Sequence, residues 1–437
     1  MSFISNYRLY VSGYFNLLLG LMPISFIAGN MLININLLLL VLSTIFFFKK
    51  ELLKIEYFFL DKVIISFFTL VIVTGVINDY HFYLEKLEWK GYFTGIIKSL
   101  FFLKYLLLYI TVKFLIQKNI LKLKIFFISC SIASLFVCFD IFYQYNFGQD
   151  IFGLKTIGAG RKLGGPFGDE LIAGSFIQRF SLFTFFILPF YFYKQSQTIS
   201  KYIIPSLFLI FLFGIILSGN RMPMLLFIFN VFLVLIFIKQ TRKYFFSFIF
   251  ISSILFSITY KLNSEIEANF NNLYFQISKM ISFKQTDNLN DAKTPQYLKE
   301  FKSFYNTWLM NKYIGGGIKN FRYYCHHRPN IDKKSNFVCN MHPHNYYLEI
   351  LTETGIVGFF IIIVMISTIL ISFIKKYFLA PQKDINIEII PFIFLFFIEI
   401  FPIKSTGSFF TTGNTTYLFL IIGILIGLLS KKNSIEK

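Results

Sequence analysis

Several things are missing from this sequence, and each absence narrows what it encodes. No stretch repeats along the chain, so the two related halves that mark many transporters are not visible. No Asp-x-Asp pair lies between the apolar runs, which leaves no paired-carboxylate seat for a metal. The first apolar run, from Val11, passes directly into a second with no small-residue cleavage pattern, so a removable leader is not expected. There are only 4 Cys, and two of them, Cys130 and Cys138, lie inside an apolar run and read as packing residues. Acidic residues are scarce too: 22 Asp and Glu face 42 Lys and Arg, for a net charge of +20. That excess falls in short clusters between apolar runs, where it reports membrane topology and not a nucleic-acid footprint.

What the sequence does have is apolar length. It is 56% hydrophobic with 61 Phe, arranged in runs of about 17–22 residues, the length that spans a bilayer. The expected fold is an all-α polytopic membrane protein forming a single membrane domain over 1–437. About 12 transmembrane helices are expected, with boundaries soft by several residues. They fall at 11–29, 31–48, 58–78, 99–117, 125–143, 170–192, 202–218, 222–238, 244–260, 347–374, 388–403 and 415–430. A large, mainly helical outer insertion, 261–346, separates the ninth from the tenth. With the N-terminus inside, the clusters at Lys49/Lys50/Lys54, Lys118/Lys122/Lys124, Lys194/Lys201, Lys239/Arg242/Lys243, Lys375/Lys376 and Lys431/Lys432 all fall on the cytoplasmic side. The positive-inside rule therefore places both termini in the cytoplasm.

This orientation gathers the unusual residues on the outer face. In the segment 144–169, the stretch Gly158 to Glu170 combines glycines, whose N–H groups can turn toward a ligand, with Arg161 and Lys162. The next span carries Arg179 well inside it. A charge at that depth either contacts substrate in a wet cavity or pairs internally, with Glu170 or Glu399. Ser218-Gly219-Asn220-Arg221 joins two spans with almost no loop, and Pro223 suits the first turn of the second. A planar, always-charged guanidinium beside helix-start N–H groups can clamp a pyrophosphate. The alternative is an Arg snorkelling to the interface.

Within 261–346, Tyr297, Leu298, Phe301, Phe304, Tyr305, Trp308 and Leu309 follow helical amphipathic spacing, with Lys299, Glu300 and Lys302 opposite. This predicts a helix lying on the membrane or on the bundle. Gly315-Gly316-Gly317 then turns the chain. Cys325-His326-His327-Arg328 and Cys339-Asn340-Met341-His342-Pro343-His344 invite a zinc reading, but the spacing matches no standard ligand pattern. Two thiols in an oxidising compartment more often pair, so a Cys325–Cys339 disulfide is expected, tethering His342 and His344. Pro343 is placed in the first turn of the following span, which puts His344 and Asn345 at its mouth beside free N–H groups. Such an imidazole is either an interfacial cap or a proton acceptor beside a held phosphate.

Together, Ser218-Gly219-Asn220-Arg221, the turn Gly315 to Phe321, and His344-Asn345-Tyr346-Tyr347-Leu348-Glu349 with Glu353, Gly355 and Gly358 resemble the O-antigen ligase and O-antigen polymerase superfamily. Arg161 with Gly164-Gly165-Pro166-Phe167-Gly168 looks like that family's earlier Arg-containing loop, and Phe401 to Gly407, with Lys404, is also similar. The resemblance covers 150–410. Two departures blur the branch: Met222 stands where the family very often has Gly, and Gly168-Asp169-Glu170 stands where it often has Asn-Pro-Asn. Ligases, polymerases and protein O-oligosaccharyltransferases share the same parts.

The resemblance implies a glycosyltransferase of the bacterial inner membrane, working at the periplasmic face. It would move a glycan from undecaprenyl pyrophosphate to a hydroxyl of lipid A core or of a growing glycan. His344 would be the base, contributing about 10²–10⁴-fold, and Arg221 and Arg161 would hold the pyrophosphate. Asn345, Lys162, Arg179, Asn220 and Lys404 complete the expected substrate contacts. No metal or other cofactor is expected, and the transfer would invert the anomeric centre. The partners are the lipid-linked donor, the acceptor and membrane lipids, with no nucleic acid. The competing reading is a lipid-linked glycan flippase or another transporter.

Overall fold

The computed structural model describes residues 2–84, 93–155, 162–191, 197–237, 245–282, 296–328, 339, 343–379, 388–402, 404 and 407–431. Arg161 and His342, both singled out by the sequence, lie outside the described residues, as do the basic residues at 239–243. Every named element among the described residues is a helix. Seven of these are long and apolar enough to cross a membrane: Leu9–Ala28, Asn30–Leu52, Phe59–Leu84, Thr94–Gln117, Leu123–Phe147, Tyr346–Phe378 and Thr412–Ser430. Four further apolar helices, Ile203–Leu217, Arg221–Phe237, Phe248–Leu262 and Ile389–Glu399, are shorter. The chain is a helical, multi-pass membrane protein. Its residues gather into two compact units: 1–40, 115–275 and 386–399 form the first, and 41–114, 276–385 and 400–437 the second.

In the first unit the hub is α5 (Leu123–Phe147). Packed on it are α1 (Ser2–Ala28), α6 (Ala173–Phe180), α7 (Leu182–Tyr191) and α8 (Gln197–Leu217). The expected span 170–192 is thus two helices that break at Ser181. The helix α9 (Arg221–Phe237) packs on α6, α8 and α15 (Ile389–Glu399), while α10 (Phe245–Leu262) leans on α8. Phenylalanine fills the centre. Phe183 of α7 lies with ring centroids 5.1 Å from Phe126, 4.9 Å from Phe127 and 5.2 Å from Phe392. Tilted and edge contacts of this kind suit the ring quadrupoles.

The hub of the second unit is α14 (Tyr346–Ile374), which α3 (Phe59–Leu84), α12 (Gln296–Trp308) and α16 (Thr412–Ser430) pack against. This unit also holds the short α13 (Phe321–His327) and nearly all of α4 (Thr94–Gln117), while the residues of α2 (Asn30–Leu52) and α11 (Ser264–Ser282) are divided between the two units. The amphipathic helix expected from 297–309 exists as α12, lying on α13 and α14, but its polar side is not all solvated. Glu300, Ser303 and Thr307 are buried along with Phe304, which stacks on Phe321 with centroids 3.5 Å apart. A buried ion pair joins α3 to α4: Lys113 Nζ lies 2.6 Å from Asp61 Oδ2, and Tyr109 donates to Oδ1 at 2.5 Å. With Phe58 N–H also donating to Asp61 at 2.6 Å, the carboxylate is satisfied and the pair tolerates burial.

The helix α14 is not continuous. Gly355 sits at φ 67, ψ −171, a conformation only glycine takes readily, and the helix ladder opens there. The turn 312–317 of the insertion fills the gap. Gly316 and Gly317 donate their N–H groups to the carbonyls of Thr352 and Glu353 at 3.0 and 2.9 Å. In return, Ile356 and Val357 donate to the carbonyls of Lys312 and Tyr313 at 2.9 and 3.2 Å. Backbone groups orphaned by the break are thereby paired, as burial in a membrane protein demands. The same turn is gripped by α3: Thr74 Oγ1 donates to the Ile314 carbonyl at 3.1 Å, and Asn78 Nδ2 to that of Gly315 at 3.3 Å. Asn78 Oδ1 in turn accepts the Tyr324 hydroxyl at 2.6 Å.

Candidate functional site

The sequence-predicted residues that are described fall into two clusters, one in each unit. In the first unit, Arg221 is the first residue of α9, and the Met224 N–H donates to the Asn220 carbonyl at 3.2 Å to open the ladder. The N–H groups ahead of that bond give the helix start its positive end. Asn220 turns its side chain back, donating to the Ser218 carbonyl at 2.7 Å, while buried Ser218 donates to that of Ile215 at 2.7 Å. The turn is held rigidly by its own side chains. Against it lies α6, whose approach requires glycine: a Cβ on Gly174 would stand 2.5 Å from Ser218 Oγ and 2.7 Å from Asn220 Cβ.

Lys162 is half-buried in the same unit, near enough to Arg221 for the two charges to interact. Burial first, and Arg221 second, hold its ammonium below the ordinary lysine range. Two cations brought together at a helix start create a local demand for an anion. Arg179, in the last turn of α6, meets Glu399 instead: Nη2 to Oε1 is 2.6 Å and Nε to Oε2 is 3.2 Å. The internal ion pair, one of the two roles open to Arg179 from the sequence, is the one the structure displays, and Glu399 is the partner.

The second cluster surrounds the start of α14. His344 is half-buried and holds φ 53, in the left-handed region that histidine tolerates better than most residues. The helix itself starts at Tyr346, so Pro343 precedes it and does not occupy its first turn. Asn345 is the N-cap. Its Oδ1 accepts from Tyr347 and Leu348 N–H at 3.0 and 3.1 Å, and its Nδ2 donates to the Pro402 carbonyl at 2.8 Å. The N–H groups expected to be free near His344 are therefore used by the cap, and the Asn345 carboxamide is engaged at both ends.

The described residues 400–402, 404 and 407–409 wrap this helix start. Tyr347 donates its hydroxyl to the Ile400 carbonyl. Glu349, 2% exposed, accepts from Ser408 Oγ at 2.5 Å and Phe409 N–H at 2.6 Å. Lys404, 5% exposed, puts Nζ 3.3 Å from the Tyr346 hydroxyl and 4.5 Å from its ring centroid. From the other side, Cys325 and Cys339 form a disulfide with Cα atoms 5.8 Å apart. It is seated in a cluster with Phe304, Phe321 and Leu348 of α14. Both thiols are consumed in that bond, which removes them as zinc ligands. His327 stacks on Tyr323 at 4.1 Å and hydrogen-bonds its carbonyl at 2.8 Å. Arg328 is buried beside the disulfide, donating to Cys325 Sγ at 3.2 Å and the Ser303 carbonyl at 3.3 Å, and burial lowers its pKa.

Thr74, Asn78 and Ser408 give no sequence signal of their own beyond being polar residues in or beside apolar runs, and Glu349, though part of the His344–Glu349 motif, gives no sign of its partner. Their partners lie far along the chain, as with Asn78 and Tyr324. Periodicity cannot reveal such pairs.

Residues 206–363 match the family model described as O-antigen ligase. Over that stretch, a little over a third of its length, the chain is similar to the O-antigen ligase family, which supports the resemblance to the O-antigen ligase and polymerase superfamily. The matched residues include the Ser218–Arg221 turn, the Gly315–Gly317 turn, the disulfide pair and His344 through Gly358. No curated protein matches the chain. The family match supports an O-antigen ligase-type function, with glycosyltransferase-like activity on a lipid-linked glycan and an acceptor.

Proposed function

We propose that this protein transfers an oligo- or polysaccharide from undecaprenyl pyrophosphate to an acceptor hydroxyl at the periplasmic face of the bacterial inner membrane. Both termini lie in the cytoplasm, with about twelve crossings once the shorter apolar helices and the α6–α7 pair are counted. The large outer insertion is then the 261–346 segment. The observation that carries this reading is that the matched stretch contains both Arg221, at the first residue of α9, and His344, beside the cap of α14. Those are the two groups that the chemistry needs most.

The reaction asks for three things: a stabilised pyrophosphate leaving group, a base for the acceptor hydroxyl, and alignment of the two. Arg221 and Arg161, with Lys162, neutralise the departing pyrophosphate. His344 takes the acceptor proton as the acceptor oxygen bonds the anomeric carbon and the carbon–oxygen bond to pyrophosphate breaks. Undecaprenyl pyrophosphate leaves, and a direct displacement inverts the anomeric centre. The left-handed backbone at His344 costs about 1 kcal/mol or more, and strain of that kind clusters at functional positions. Asn345 and the wrap around the start of α14 act by fixing His344, and Lys404 reaches the substrate from that wrap. Arg179 with Glu399 holds α6 in the register that brings Gly174 to the Ser218–Arg221 turn.

A strain deleted for this protein distinguishes the transferase from a flippase. The transferase reading predicts undecaprenyl-linked glycan accumulating in the periplasmic leaflet. Accumulation in the cytoplasmic leaflet would replace it with the flippase.

A further inference from the structure

Resting on the reading of Lys162 and Arg221 as a pyrophosphate clamp, a second layer can be traced in the first unit. Gln144 lies in the last turn of α5 and is buried. Its carboxamide reaches both flanks of the cationic loop: Oε1 accepts the Gly165 N–H at 2.9 Å, and Nε2 donates to the Leu154 carbonyl at 3.4 Å. Lys162 stands three residues before Gly165. Two aspartates set the first flank. Asp140 Oδ1 accepts the Ile151 N–H at 2.7 Å, and Asp150 Oδ1 accepts the Leu154 N–H at 2.6 Å. Asp150 N–H and the Leu154 carbonyl close that turn at 2.9 Å. These side chains therefore spend their hydrogen bonds on loop backbone, and Gln144 alone among them touches both ends.

We propose that Gln144 is a positioning residue: by holding the Gly165 N–H and the Leu154 carbonyl it keeps Lys162, three residues before Gly165, close to Arg221 and so completes a site for a pyrophosphate group. Asp140 and Asp150 act with it by shaping the Leu154 flank. Removing Gln144 leaves the buried Gly165 N–H without this acceptor, while the Leu154 carbonyl keeps only its bond from Asp150 N–H, and the Gly165 side of the loop relieves the loss by moving. A lysine ammonium on a displaced loop no longer sits with Arg221, and anion affinity falls even though every cation is still present. The depressed ammonium of Lys162, caused by burial and by Arg221, accords with a charge held in place and not free to retreat into water.

The test uses the purified full-length chain in detergent and inorganic pyrophosphate as the probe, with affinity read by calorimetry or by thermal shift. Gln144→Leu, close in size but unable to hydrogen-bond, is expected to weaken pyrophosphate binding at least tenfold. Gln144→Glu, which keeps the acceptor for Gly165, is expected to recover part of that loss. In a Lys162→Gln background, Gln144→Leu should cost nothing further, because its effect passes through Lys162. A merely structural glutamine would weaken binding equally in both backgrounds, and that result overturns the proposal. So does tight binding by Gln144→Leu when Lys162→Gln binds poorly, which leaves the clamp reading intact. Absence of pyrophosphate binding by the wild-type protein overturns the clamp reading and this inference with it. Hydrogen exchange at 148–155 and 162–165 gives an independent check on Gln144→Leu, with faster exchange expected there and unchanged exchange in α9.

Discussion

Gly355→Ala should damage the protein far more than a single methyl group implies. The residue holds φ 67, ψ −171, and placing alanine in that region costs about 1–3 kcal/mol by itself. The added Cβ would also run into the backbone of Tyr313 and Ile314, so the 312–317 turn would have to withdraw. Withdrawal puts at risk four hydrogen bonds across the break, those from Gly316, Gly317, Ile356 and Val357. At a net worth of about 1 kcal/mol each, losing even two brings the total to roughly 3–5 kcal/mol. The assay is thermal melting of the purified protein in detergent, with Gly13→Ala as the control. A Cβ at Gly13 meets nothing within 4 Å, so that variant should melt with the wild type or slightly above it. A Gly355→Ala protein that also melts with the wild type would refute the account of α14 as a helix broken and mended by the insertion.

Four other outcomes are expected. His344→Ala and Arg221→Ala should each abolish glycan transfer while membrane insertion and expression stay normal; wild-type activity in either removes that residue from the mechanism. Arg161→Ala should be nearly as harmful to transfer, and an essential Arg179 beside a dispensable Arg161 would show the early loop to be misassigned. The charge on Lys162 is present at low pH and lost as pH rises through a pKa that burial and Arg221 hold below 10.5. Pyrophosphate binding should therefore weaken on the alkaline side earlier than an ordinary lysine allows, and Lys162→Arg should move that limb upward; an unmoved limb speaks against Lys162 as a ligand. The Cys325–Cys339 bond spans a sequence separation of 14. In the loop-entropy account closing such a loop is worth about 3 kcal/mol, so reductant or Cys325→Ser should lower the melting midpoint, and a midpoint indifferent to reductant argues against the tether.

Hydropathy made the helical membrane character legible, because a span needs only length and apolar content. It could not show where helices break. The stretch 347–374 reads as a single span across Gly355, and the break becomes evident only through the φ of one residue and the turn that mends it. Likewise 170–192 reads as one span, yet it parts at Ser181, and the run 388–403 ends as a helix at Glu399 because the following segment is committed to wrapping α14. Pro343 pointed to a helix start three residues early, since a cap residue two places on, Asn345, competes for the same role and wins by binding two N–H groups. Arg221, Lys162 and His344 were visible because the expected topology sets them apart from the cytoplasmic basic clusters, and because the chain has only 5 His. Asn78 and Gln144, which hold backbone in place, were not, because a polar residue near the end of a span is ordinary until its partner is known.

The most direct test of the central claim is a transfer assay in proteoliposomes. It supplies the purified chain with an undecaprenyl-pyrophosphate-linked glycan and a hydroxyl-bearing acceptor, and follows glycosylated acceptor and undecaprenyl pyrophosphate together. The account predicts that the two products appear one for one, and that both vanish in His344→Ala. Movement of intact donor across the bilayer without release of undecaprenyl pyrophosphate, or full turnover by His344→Ala, would contradict it.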